Sequence, residues 1–98
     1  MKEEEKLAVA LKYEVEKGTP EVVAKGRGRL AELILQIARE HNIPIKEDHK
    51  LVKELYKLEL NKPIPPELYY AVAAVLAWAI RLNKRLQDKV LSQIKKGE

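Results

Sequence analysis

The thirteen residues from Leu68 to Ile80 carry no charged side chain and form the longest apolar run in the chain. A helix that crosses a bilayer needs roughly 18 to 20 such residues, so this run reads as a buried core helix instead. The rest of the chain must then be arranged to cover it. Its start is well marked, because Pro65-Pro66-Glu67 places proline where a missing N–H is no loss. Ile64 precedes it as a candidate staple onto Tyr69. Continued unbroken to Lys96, the helix would be roughly 45 Å long, longer than the roughly 30 Å of a small domain. Its second half is therefore expected to project or bend, with Leu82, Leu86, Val90 and Ile94 as a narrow apolar stripe.

Upstream, Leu7, Val9, Leu11 and Tyr13 alternate with Ala8, Ala10 and Lys12. That period of two gives a strand with a bulky face and a small-residue face. Turn residues through Gly18-Thr19-Pro20 lead to Val22-Val23-Ala24, which can pair back as an antiparallel hairpin. Gly26-Arg27-Gly28 is expected to break that strand. Leu30, Leu33, Ile34, Ile37 and Ala38 then recur at helical spacing up to His41-Asn42. Ile43-Pro44-Ile45 is a short strand candidate, which would make a right-handed parallel crossover and a mixed sheet. Asp48 can cap a second helix carrying Leu51, Val52, Leu55, Tyr56 and Leu58, and Leu58-Glu59-Leu60 is a marginal edge-strand candidate that three residues before a proline leave open. The expected fold class is α/β: a small mixed three- or four-stranded sheet surrounded by about three helices.

Ninety-eight residues make one domain, with a core over about 7–82 and a helical extension over 83–98. Apolar residues at 46% and charged residues at 35% support a core under a charged surface, which disorder would not allow. Cysteine is absent, so disulfide and thiolate chemistry are excluded. The start Met1-Lys2-Glu3-Glu4-Glu5-Lys6 has neither the apolar centre of a secretory signal nor the basic bias of a transit peptide. The net charge of +4 is spread along the chain, which disfavours nucleic acid as the partner.

Tests for chemistry come out bland. Lys25-Gly26-Arg27-Gly28-Arg29 sits at a strand-to-helix junction that could meet a phosphate, yet it lacks the spacing and the Lys-Ser/Thr ending of a nucleotide loop. The glycines read as turn residues and the arginines as solvated charge. His41 and His49 are isolated and without cysteine neighbours, so no metal site is expected. Thr19 and Ser92 are the only hydroxyl residues of their kind, and neither has a histidine at an activating spacing. No catalytic residues and no cofactor are expected. Tyr69, Tyr70 and Trp78 flank an alanine-rich stripe of Ala71, Ala73, Ala74, Ala77 and Ala79. Most of it serves packing, and part can form a shallow apolar groove for a partner side chain.

Ala8-Val9-Ala10-Leu11-Lys12-Tyr13, Val22-Val23-Ala24-Lys25-Gly26 and Ile64-Pro65 leading to Leu68-Tyr69 and Ala71-Val72-Ala73 resemble the C-terminal cytoplasmic domain of the FlhB/YscU family of type III export proteins. The similarity runs from about Leu7 to Leu82 and includes Leu51, Leu55-Tyr56 and Val75-Leu76-Ala77-Trp78. Family members carry Asn-Pro-Thr-His before the first strand and cleave themselves after the asparagine. Here those positions read Glu3-Glu4-Glu5-Lys6. A carboxylate lacks the amide nitrogen that closes the succinimide ring, so no self-cleavage is expected. The resemblance also implies a stand-alone form without the family's membrane region, similar to the cleaved fragment of a relative.

What the resemblance implies is a cytoplasmic role, peripheral to a membrane-embedded export apparatus, in flagellar or related type III protein export. The partners would be export substrates of the rod and hook class and export-gate proteins. The family's apolar docking patch, carried over by motif position, would fall on Thr19, Pro20, Ala73 and Leu76. Two other readings predict different behaviour. A nucleic-acid module would use Lys25, Arg27, Arg29 and the helix bearing Arg81, Lys84, Arg85 and Lys89, and would bind in a salt-dependent way. An oligomerising protein would pair the stripe Leu82, Leu86, Val90 and Ile94 with a second copy.

Overall fold

The computed structural model describes residues 5–13, 16 and 18–82. The expected helical extension with Leu86, Val90 and Ile94 lies outside the described residues, as do Glu3 and Glu4 of the degenerate cleavage motif. The element order is β1 (Leu7–Tyr13), β2 (Pro20–Arg27), α1 (Arg29–Glu40), α2 (His49–Tyr56), a short 3-10 turn (Pro66–Leu68) and α3 (Tyr69–Leu82).

β1 and β2 form an antiparallel hairpin, with Leu7 opposite Arg27 and Tyr13 opposite Pro20. Ala10 faces Ala24 and Leu11 faces Val22, so Val23 is the extra residue of a bulge. Because paired residues share a face, Ala8 with Gly26 and Ala10 with Ala24 make one side of the hairpin small. Val9 with Lys25 and Leu11 with Val22 make the other side bulky. The strand alternation seen in the sequence is thus the division between two packing layers.

α2 and α3 cover the bulky face. Val22, Leu51, Leu55, Ile64 and Val72 form the buried core, with Val9, Leu11, Leu58, Leu68 and Leu76 packed around it. Val22, Ile64 and Val72 are fully enclosed, and burial of such a side chain stabilises by about 1.5–3 kcal/mol. α2 starts as its sequence directs, with the Asp48 carboxylate accepting from Leu51 N–H at 3.0 Å. Its far end is held from the sheet: Lys25 Nζ donates to the carbonyls of Tyr56 at 3.0 Å and Leu58 at 2.6 Å.

α1 covers the small face, and here the sequence expectation needs correction. Ala31 is its fully buried residue, whereas Leu30, Leu33 and Ile37 are 51%, 49% and 45% exposed. The alanine and glycine surface takes Ala31 at the most buried point, with Ile34, Leu35 and Ala38 half-buried beside it on the same helical face. Leu30 leans on the strand where Gly26 has no side chain, since a Cβ there would lie 2.5 Å from Leu30 Cγ. Gly26 is therefore inside β2, which runs on to Arg27, and the turn falls on Gly28 alone. Gly28 has φ +61° and ψ −127°, a combination that side chains resist.

The sheet has two strands among the described residues, fewer than the three or four expected, and it is antiparallel where a mixed sheet was expected. Ile43-Pro44-Ile45 makes no strand. α1 ends with Asn42 in the left-handed region, Asn42 N–H on the Arg39 carbonyl and Ile43 N–H on the Ala38 carbonyl. That helix closure uses the donor of Ile43, and Pro44 has none to offer a ladder. Leu58-Glu59-Leu60 is not a strand either. The chain next to it does run along the free edge of β2: Asn61 N–H bonds Val22 O at 2.8 Å, Ile64 N–H bonds Pro20 O at 3.4 Å, and Glu21 bridges to Pro63.

Candidate functional site

The docking patch expected from the sequence comprises Thr19, Pro20, Ala73 and Leu76, and it draws on the start of β2 and the first half of α3. Pro20 and Val22 are two apart on one strand and so share the bulky face that α3 helps to cover. Pro20 is buried and Thr19 half-buried. Ile64 ties this end of the hairpin to α3, since its N–H bonds Pro20 O while its side chain packs in the cluster that holds Val72. Sequence reasoning placed Ile64 as a staple onto Tyr69 and missed this bridging role. The signal was there in an apolar residue held between Pro63 and Pro65.

Leu68 at the end of the 3-10 turn and Ala71, Val72, Val75 and Leu76 along α3 face or flank the core. Tyr70, Ala73, Ala74 and Ala77 are exposed, with Tyr70 at 89%. Helical spacing puts Ala73 and Leu76 together on one flank of the helix, beside Tyr69 and Ile80. The opposite flank carries Trp78, whose ring lies 5.2 Å from Lys46 Nζ. Leu76 is half-buried against the core and Ala73 is open to solvent. This combination, a fixed apolar wall beside a position with almost no side chain, leaves room for an incoming side chain next to buried apolar surface. A separate shallow depression of about 300 Å³ lies between α2 and the start of α3, lined by Asp48, Lys50, Leu51, Glu54, Leu68 and Ala71. It contains none of the four patch residues.

The glycine junction is arranged poorly for an anion. Gly28 N–H is already bonded to Lys6 O at 2.8 Å, and Arg27 Nε pairs with Glu5 Oε1 at 3.4 Å. Lys25, named in the nucleic-acid reading, is turned inward onto the end of α2 and over the Tyr56 ring at 5.3 Å. His41 ends α1 and His49 begins α2, both exposed. Among the described residues no group of three or more acidic, histidine or cysteine side chains is placed to hold a metal, and no helix is long and apolar enough to cross a membrane.

Comparison with known proteins agrees with this architecture. Flagellar biosynthetic protein FlhB of Helicobacter pylori is 49% identical over 83 residues, which is 84% of this chain and 23% of that protein. FlhB of Salmonella typhimurium is 44% identical over 79 residues, covering 79% of this chain and 21% of its own length. The chain thus spans less than a quarter of these relatives. The uncharacterized protein YlqH of Bacillus subtilis is 35% identical over 83 residues, covering 84% of this chain and 89% of YlqH. The crystal structure of the PscU C-terminal domain matches with a TM-score of 0.69 at 31% identity, over 74% of this chain and 94% of that one. Since the model of the FlhB HrpN YscU SpaS family matches residues 4–79, and the fold and the relatives agree with it, the chain belongs to that family.

Proposed function

We propose that this domain serves flagellar or related type III protein export as a binding module, in the cytoplasm beside the export apparatus. It docks an extended segment of an export substrate of the rod and hook class, or of an export-gate protein, on the patch of Thr19, Pro20, Ala73 and Leu76. The observation that carries this reading is the open Ala73 next to the fully buried Val72, with Leu76 forming apolar wall one turn on. Family membership supplies the context of export, and small-residue helix faces receive partner side chains by packing them against preformed apolar surface.

The test is a titration of fluorescently labelled rod- and hook-subunit segments with the wild type and with Ala73→Asp. A charge at that position would be desolvated by a bound apolar side chain, so affinity should fall at least about tenfold, in keeping with the cost of burying an unpaired charge. Equal binding by both proteins removes the site.

The module acts without cleaving itself. Glu5 is engaged with Arg27, and none of the residues at 3–6 carries the side-chain amide that succinimide closure requires. Intact-mass measurement after prolonged incubation should show one species of full length. A break between Glu3 and Glu4 would refute this part of the proposal.

A further inference from the structure

The outer flank of α1 is the feature of the molecule that neither the core nor the docking patch uses. Leu30, Leu33 and Ile37 recur at spacings of three and four residues and are each about half exposed, and Ile43 just beyond the helix is exposed as well. That spacing is the seam by which two helices pack side by side. Arg29 and Glu40, both exposed, stand at opposite ends of the seam and on the same edge of it, as the helical turn places them. The Glu40 carboxylate is already oriented by Gln36 Nε2, which donates to Oε2 at 3.2 Å, leaving Oε1 for another donor.

We infer that this flank is a self-association face, on which two copies of the chain pair through antiparallel α1 helices. Charge selects both the occupant and the direction. In the antiparallel arrangement Leu33 of each copy lies against Ile37 of the other, and Arg29 of each meets Glu40 of the other twice over by symmetry. A parallel pairing would carry the Arg29 and Glu40 edge of the second copy to the far side of the seam, leaving these charges without each other, with the two helix dipoles aligned. One helix pair buries less than the roughly 1,200 Å² of a tight interface, so the dimer is weak and forms at high local concentration. The docking patch lies across the hairpin from α1, so pairing leaves it open. This inference stands apart from the export reading, since it needs only the chain itself.

Sedimentation equilibrium of the full chain from micromolar to millimolar concentration reads the association directly. A monomer–dimer equilibrium is expected in the wild type, and Leu33→Asp should weaken it at least about tenfold. Arg29→Glu and Glu40→Arg should each weaken it about 2- to 5-fold, the range of an exposed ion pair, and the double variant should restore it. These last substitutions are at exposed positions, so the charge swap reports on the pairing even if Leu33→Asp does not fold. A wild type that stays monomeric throughout overturns the inference and assigns the flank to some other occupant. A double swap that fails to restore association overturns it too. So does loss of association on Leu86→Asp with none on Leu33→Asp, which would put the contact on the C-terminal stripe.

Discussion

The two faces of one hairpin are packed by opposite strategies. On the bulky face, Val9, Leu11 and Val22 meet side chains of similar size from α2, α3 and the linking residue Ile64, and the contact is sealed. On the small face, Ala8, Ala10, Ala24 and Gly26 offer almost bare backbone, and α1 approaches with Ala31 at the contact. Close approach gains dispersion and excludes water with little side-chain bulk. The inward face of α1 is completed by half-buried Ile34, Leu35 and Ala38, and the same helix displays Leu30, Leu33 and Ile37 to the outside. Interlocking side chains close one face, while close backbone contact on the other leaves apolar surface in reserve.

The comparison breaks most visibly at Ile64. Replacing this fully buried residue by alanine should cost about 2–5 kcal/mol in chemical denaturation, the range for large-to-small core changes. A loss below 1 kcal/mol would mean the bulky face is not the main source of stability. Next come the glycines that let α1 approach. Gly26→Ala should cost about 1–3 kcal/mol by overpacking against Leu30, and Gly28→Ala a similar amount through its positive φ. Lys25→Met keeps the aliphatic stem and removes both donors to the end of α2, with an expected loss of about 1–2 kcal/mol. Asp48→Ala removes the N-cap of the same helix for about 1 kcal/mol. Smallest is Leu33→Ala, expected below about 1 kcal/mol in dilute solution because half of the side chain is already in water. A larger loss there would erase the distinction between the faces.

Much of this was legible in the sequence where a local rule acts alone. The strand alternation foretold the two faces, Asp48 was read as a cap, and Pro65-Pro66 marked the approach to the last helix. What was misread depended on partners far along the chain. The spacing of Leu30, Leu33 and Ile37 announces an apolar side to α1, yet only the smoothness of the opposing hairpin decides that Ala31 takes the centre. Ile43-Pro44-Ile45 has strand composition, but the closure of α1 claims the one N–H that a ladder needed. The sequence assigns Gly26 to a turn because its use, room for Leu30, is invisible until the helix is placed. For the docking patch, motif position named Ala73 and Leu76, whereas the chain of contacts through Ile64 emerges only from the fold.

Lys25 has a consequence for how this small domain comes apart. α1 closes itself with a left-handed Asn42, whereas α2 bonds its Glu54 and Leu55 carbonyls to the N–H groups of Lys57 and Leu58 and leaves the carbonyl of its last residue, Tyr56, and that of Leu58 just beyond it, to an ammonium from β2. The terminus of one element is thus satisfied by another some thirty residues away in sequence, at a separation of 31 and 33 for the two bonds. Fraying of α2 strands a half-buried cation, and loosening of the hairpin strands helix carbonyls, so neither loss is a local event. Melting of sheet and helix should therefore coincide, which makes this side chain a source of cooperativity as well as of stability.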